Sequence, residues 1–154
     1  MAPPPSNLRT TRVVANGSPN AGSSELVLRN RITALVVDDS ALTRMIHRTY
    51  LTTYGVESYE VDNGLEAVQL CQSGMNFNLI LMDNDMPFMD GPQATRALRL
   101  MGVQSIIIGV TAKTQEGEIR AFMEAGLDDF FKKPLNRAKL IPVLRTIDDC
   151  MTNN

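Results

Sequence analysis

At 154 residues, with 44% of them hydrophobic and a formal charge of −2, the chain suits one domain whose core needs no disulfide or metal to hold it together. Fifteen basic residues against 17 acidic ones give neither the basic excess of a nucleic-acid-binding surface nor the acidic excess of a solvating tail. The cysteines Cys71 and Cys150 lie outside any CxxC pair and read as ordinary thiols of a reducing compartment, and no apolar run is long enough to span a bilayer.

Residues 1–30 are rich in Pro, Ser, Asn, Gly and Thr and carry no amphipathic period. Such a stretch cannot bury enough apolar area to offset its ordering entropy, so a disordered N-terminal tail is expected there. Its Ser-rich, acid-poor start, with Arg9 and Arg12 and a first acid at Glu25, leaves an organellar transit peptide as the alternative. No signal-peptide pattern is present, so a cytoplasmic protein, with the nucleus as a second compartment, is the expectation, and Asn16–Gly17–Ser18 is read as a chance match to a glycosylation acceptor.

From residue 31 the pattern changes to short apolar runs alternating with helical periods. Ile32 to Val37 is continuous and apolar, as befits a strand buried on both faces. Ser40 is placed to cap a helix with Leu42, Met45, Ile46 and Tyr50 as its inward stripe. A strand over Val56 to Val61 leads to Asn63–Gly64 and a helix carrying Leu65, Val68 and Cys71, closed by Gly74. Leu79 to Met82 is the third strand. Gly91–Pro92 opens a helix with Ala94, Ala97, Leu98 and Met101 inward, stopped by Gly102. Ser105 to Val110 is the fourth strand, Ile119, Phe122 and Met123 mark the next helix, and Phe130–Phe131 lies in a fifth strand. Leu140, Val143, Leu144, Ile147 and Met151 line a last helix, with Pro142 as an awkward interior residue.

Five strands alternating with five helices imply an α/β fold, a parallel sheet covered on both faces. Right-handed crossovers favour the flavodoxin-like order 2-1-3-4-5, in which ligands bind outside the carboxyl ends of the strands. Those ends carry Asp38–Asp39, then Asp83, then Thr111–Ala112, then Lys132–Lys133–Pro134. Any one of these residues suits an ordinary exposed loop. Three carboxylates converging on one rim repel each other, which is tolerable mainly when a cation neutralises them. Mg²⁺ fits, being a hard ion that takes oxygen ligands and uses one or two carboxylates. His47, on the first helix and distant in this topology, offers no transition-metal site. An ionised Asp83, with the metal, Lys133 and Thr111 around a phosphoryl group, could attack phosphorus and form an aspartyl phosphate. No general base for water stands out.

With these motifs the sequence resembles the receiver domain of two-component response regulators, over about Ile32 to Met151. Leu35–Val36–Val37–Asp38–Asp39–Ser40, Leu79 to Asp83 followed by Met86–Pro87 and Met89–Asp90–Gly91, Gly109–Val110–Thr111–Ala112, and Lys133–Pro134 are similar to that family's four motifs, in order. The resemblance implies a receiver domain over residues 31–154 with Asp83 as phosphoacceptor. It implies Mg²⁺ held by Asp39, Asp83 and the backbone carbonyl of Asp85, with Asp38 beside them. Lys133 and Thr111 would bind the phosphoryl group, and Phe130 would be the aromatic switch residue, unless it is a plain core Phe. A cis Lys133–Pro134 bond is common in the family. Asp85 and Lys113 occupy positions that tend to set the family's dephosphorylation rate.

The sequence is similar above all to plant single-domain type-C regulators, through the run Ala121 to Leu127 and Lys133–Pro134–Leu135. That implies a monomer taking phosphate from a histidine-containing phosphotransfer protein or histidine kinase, in cytokinin-type signalling or as a phosphate drain, and acting on itself, not as a turnover enzyme. Three other readings remain open. One is a Mg²⁺-dependent phosphohydrolase on a related frame. Another is a receiver that only binds partners. The last makes His47 a phosphoryl carrier.

Overall fold

The computed structural model describes residues 9–11 and 26–153. The strands are β1 (Arg9–Thr11), β2 (Thr33–Val37), β3 (Glu57–Val61), β4 (Leu79–Asp83), β5 (Ile106–Thr111) and β6 (Asp129–Lys132). The helices are α1 (Ala41–Thr53), α2 (Gly64–Gln72), α3 (Gly91–Leu100), α4 (Glu116–Glu124) and α5 (Leu140–Thr152). The sheet order is β1-β3-β2-β4-β5-β6. Its five strands from β2 onward are parallel, which is the expected 2-1-3-4-5 order with five helices.

Why these runs become strands is visible in how they divide their side chains. Along β2, Ala34 and Val36 enter one core while Leu35 and Val37 enter the other; along β4, Leu79 and Leu81 split from Ile80 and Met82 in the same way. Period-two alternation with both faces covered leaves no polar position, hence the continuous apolar sequence. Leu51 of α1 and Leu140, Leu144 and Ile147 of α5 close the first core. Ala67 and Leu70 of α2, Ala94 and Leu98 of α3 and Phe122 of α4 close the second.

Local chemistry fixes the helix starts. Ser40 accepts from Thr43 N at 3.2 Å, Asn63 accepts from Glu66 N at 2.9 Å, and Asp90 with Gln93 forms a capping box. Pro142 falls in the first turn of α5, where amide donors have no intrahelical partner, so it is not the interior residue that the sequence pattern suggests.

Two other expectations need correction. Packing is already present at Leu26, ahead of the expected residue 31. Leu26 is buried, and the Asp148 carboxylate accepts from the backbone N–H of Arg29 (3.0 Å) and of Asn30 (2.9 Å). That buried acid supplies the ordering that composition alone does not show. Within the proposed tail, Arg9–Thr11 also pairs antiparallel with β3, covering its open edge, as unpaired strand edges require. The rest of that tail, and the transit-peptide and glycosylation readings with it, lie outside the described residues.

The second correction concerns α1. Leu42 and Met45 are 62% and 59% exposed, whereas His47, Arg48 and Leu51 are buried. Arg44, His47, Arg48 and Leu51 share the i, i+3, i+4, i+7 spacing, so two stripes compete for the sheet. The inner one wins because β3 offers its arginines partners: Arg48 Nε donates to Ser58 Oγ at 3.1 Å, and both Arg44 and Arg48 bond Glu60.

Candidate functional site

The carboxyl ends of β2, β4, β5 and β6 meet at one rim. Asp38 and Asp39 follow β2 directly, Asp83 ends β4, Thr111 ends β5, and Lys133 follows β6. One oxygen from each of Asp38, Asp39 and Asp83 lies within 4.8 Å of the others. Asp38 and Asp83 are buried and Asp39 is exposed. The three carboxylates taken from sequence as one cluster are therefore together.

Lys133 holds the centre. Its ammonium lies 2.8 Å from Asp38 Oδ2 and 3.0 Å from Asp83 Oδ1. The Lys133–Pro134 bond is cis, and Lys133 N donates to Thr111 O at 2.8 Å, tying the turn after β6 to the end of β5. Burial tends to discharge the ammonium, but the bonds to Asp38 and Asp83 outweigh this and hold its pKa above the usual value.

The Asp83 carboxyl is also pushed up, to about 6, which for an acid favours the neutral form. Burial is the main cause, followed by the charge of Asp38, with Lys133 opposing both. Its Oδ1 also accepts from Asn84 N at 2.9 Å. The Thr111 hydroxyl is buried and accepts from Lys113 N at 3.0 Å. Asp85 points outward, with Oδ2 3.5 Å from the Lys113 ammonium, which also sits 3.3 Å from Glu118. Phe130 is partly buried and packs against the core that holds Phe122.

His47 is neither a surface residue nor remote. It is 4% exposed and stacks on Tyr50, and it feels the charges of both Asp38 and Lys133. Burial pushes its pKa down to about 4, so it is neutral at pH 7. A helical pattern read for apolar residues gives no sign of this, because the inward stripe of α1 is largely polar.

The donor set suits a hard divalent cation: three carboxylates, and no thiol or imidazole in the cluster. A cavity of about 670 Å³ lies elsewhere. Asn78, Ile106 and Met151 place it at the amino ends of the strands, opposite the acids. Cys71 and Cys150 line it too, and both are free thiols, with burial raising the Cys71 pKa to about 11. Among the described residues no helix is long and apolar enough to cross a membrane.

With this geometry in view, comparison with known proteins is specific. The sequence profile of the response regulator receiver domain matches residues 34–145. Two-component response regulator 24 of Arabidopsis thaliana is 49% identical over 135 residues, covering 88% of this chain and 93% of that protein. Two-component response regulator ARR22 of Arabidopsis thaliana is 45% identical over 125 residues, covering 80% and 88%. Among solved structures, the receiver domain of sensor histidine kinase PA1611 from Pseudomonas aeruginosa PAO1, with a magnesium ion coordinated in its active-site cleft, superposes with a TM-score of 0.68 at 27% identity, covering 78% of this chain and 99% of that one.

Proposed function

The chain belongs to the response regulator receiver family, and from that premise we propose that it is a relay component taking a phosphoryl group from a protein phosphohistidine onto Asp83. The observation that carries this is Asp83 itself: a buried carboxylate at the carboxyl end of the central strand, beside two further acids and 3.0 Å from Lys133.

The transfer balances simply. A carboxylate oxygen of Asp83 forms a bond to phosphorus as the bond from phosphorus to the donor imidazole nitrogen breaks; the imidazole keeps that electron pair. The product is an acyl phosphate. Asp39 and Asp83, with Asp38 beside them and the Asp85 carbonyl, would hold Mg²⁺, whose charge neutralises the phosphoryl oxygens when it is bound. Lys133 is within reach of the same oxygens and stabilises their developing charge as its hold on Asp83 is exchanged for them. The Thr111 hydroxyl can turn from Lys113 N to donate to one of them. Phe130, which pairs with Gly109 in the β5–β6 register, would follow that movement as the family's aromatic switch residue.

A protein donor is favoured over a small phosphodonor by the surface beside the acids. Leu42 and Met45 are exposed on the helix that Asp39 leads into, and Phe88 is 84% exposed in the turn after Asp83, at a φ of 69° that a bulky residue rarely adopts. By family, a histidine-containing phosphotransfer protein of a cytokinin-type relay is the donor we assign. The protein modifies itself and is not a turnover enzyme.

The test is phosphoryl transfer from a phosphorylated histidine phosphotransfer protein, with Mg²⁺. Label should appear on wild type, vanish in Asp83→Ala and persist in Asp90→Ala, which alters only the α3 cap. Steady hydrolysis of small phosphate esters without any labelled protein would sink the proposal in favour of a phosphohydrolase.

A further inference from the structure

We propose that Arg44 is a positioning residue for the metal-binding carboxylate Asp39, fixing the Asp38–Asp39 peptide from Glu60 on the neighbouring strand. The inference rests on the reading that Asp39 helps to hold Mg²⁺.

Asp38 is fastened at every polar atom. Its N–H donates to Val61 O at 3.3 Å, its Oδ1 accepts from Ser40 N at 2.9 Å, and its Oδ2 takes Lys133 at 2.8 Å. Its carbonyl accepts from Arg44 Nη1 at 2.8 Å. That carbonyl lies in the same rigid peptide plane as the Asp39 nitrogen, so the bond sets the direction in which Asp39 leaves β2. Asp39 is exposed, and its place in the acid cluster therefore depends on its backbone.

Arg44 is itself held. Its Nε donates to Glu60 Oε1 at 2.7 Å, and the other oxygen of Glu60 is taken by Arg48. Both partners of this pair are largely shielded, with side-chain exposures of 15% and 12%. Burial alone would raise the Glu60 pKa, but the two arginines outweigh it and keep the carboxylate ionised well below neutral pH. Glu60 pairs with Val36, two residues before Asp38, so the anchor sits on the sheet rather than in a mobile loop. Only a guanidinium fork reaches a carboxylate and a carbonyl with separate nitrogens; a lysine has one. The arrangement is a support behind a metal ligand, of the kind whose loss costs metal affinity.

The experiment is a calorimetric Mg²⁺ titration of the full chain, with thermal unfolding in parallel, on wild type, Arg44→Met, Arg44→Lys and Arg48→Met. Arg44→Met should weaken Mg²⁺ by roughly tenfold or more. Arg44→Lys keeps the charge, guards against a misfolded first variant, and should restore only part of the affinity. Arg48→Met loosens the same glutamate without touching Asp38, so it should lower the unfolding temperature while leaving Mg²⁺ affinity nearly unchanged. Wild-type affinity in folded Arg44→Met or Arg44→Lys overturns the inference, as does an equal loss in Arg48→Met, which would mean a merely structural role. Absence of Mg²⁺ binding in wild type would instead overturn the parent reading.

Discussion

At the scale of single residues, Asp83 is the group under most electrostatic tension. Its carboxyl titrates near 6 when folded and near 3.8 in the unfolded chain. Between those values the folded state holds the extra proton, so stability contributed here falls as pH rises from about 4 to about 6, and the deficit persists at neutrality. Asp83→Asn should therefore stabilise the metal-free protein at pH 7, on the order of 2 kcal/mol, and the gain should disappear below about pH 4. Chemical denaturation at the two pH values checks this; an unchanged or negative effect at pH 7 would contradict it. The same titration governs chemistry. Phosphoryl uptake at limiting Mg²⁺ should decline as pH falls through about 6, and saturating Mg²⁺ should move that decline to lower pH, since proton and metal compete for one carboxylate. Asp38, Asp39, Asp83, Thr111 and Lys133 were legible in the sequence because each stands at the end of an apolar run. His47 and Arg44 were not, because their roles depend on which way a helix is turned.

At the scale of elements, the turn from β4 into α3 is the tightest place in the site. Gly91 N donates to Asn84 O at 2.9 Å, and a methyl group on Gly91 would collide with the Asp83 carbonyl oxygen and approach the Phe122 ring to 2.8 Å. Backbone on one side and a fully packed ring on the other leave nothing free to yield. Gly91→Ala should cost about 1–3 kcal/mol and weaken Mg²⁺ binding as well, because the atom displaced belongs to Asp83. Loss of stability with metal affinity intact would show that the turn relaxes away from the acid. The sequence marked Gly91–Pro92 as a helix start but could not show that the glycine is also needed for contact. The same limit explains α1. Its apolar spacing is genuine, yet Glu60 and Ser58 on β3 draw the arginine-bearing stripe inward, and no local pattern reports a partner sixteen residues away.

At the scale of the whole molecule, Asp148 ties the start of the packed body to its last helix. It is 3% exposed and accepts from Arg29 N, Asn30 N and, at 2.8 Å, Asn30 Nδ2. Burial opposes its charge, but these bonds prevail and hold its pKa below the usual carboxylate range. The stability it supplies is complete above the unfolded-state value and is lost as pH falls through the lower folded one. Asp148→Asn should cost about 1–3 kcal/mol at pH 7, with the gap to wild type narrowing in strong acid. Faster amide exchange over residues 26–30 in the variant would locate the effect, and unaltered exchange there would refute it. Parallel order and the acid rim were readable from the alternation of runs; the Asp148 tie was not, since 118 residues separate it from Asn30.

The tie also decides how the molecule can be handled. Thr146 and Met151 of α5 lie beside the cavity at the amino ends of the strands, so the clamp fastens Arg29 and Asn30 to a helix that ends at the pole away from Asp83. A surface or reporter attached at that pole would leave the phosphoryl pocket facing outward.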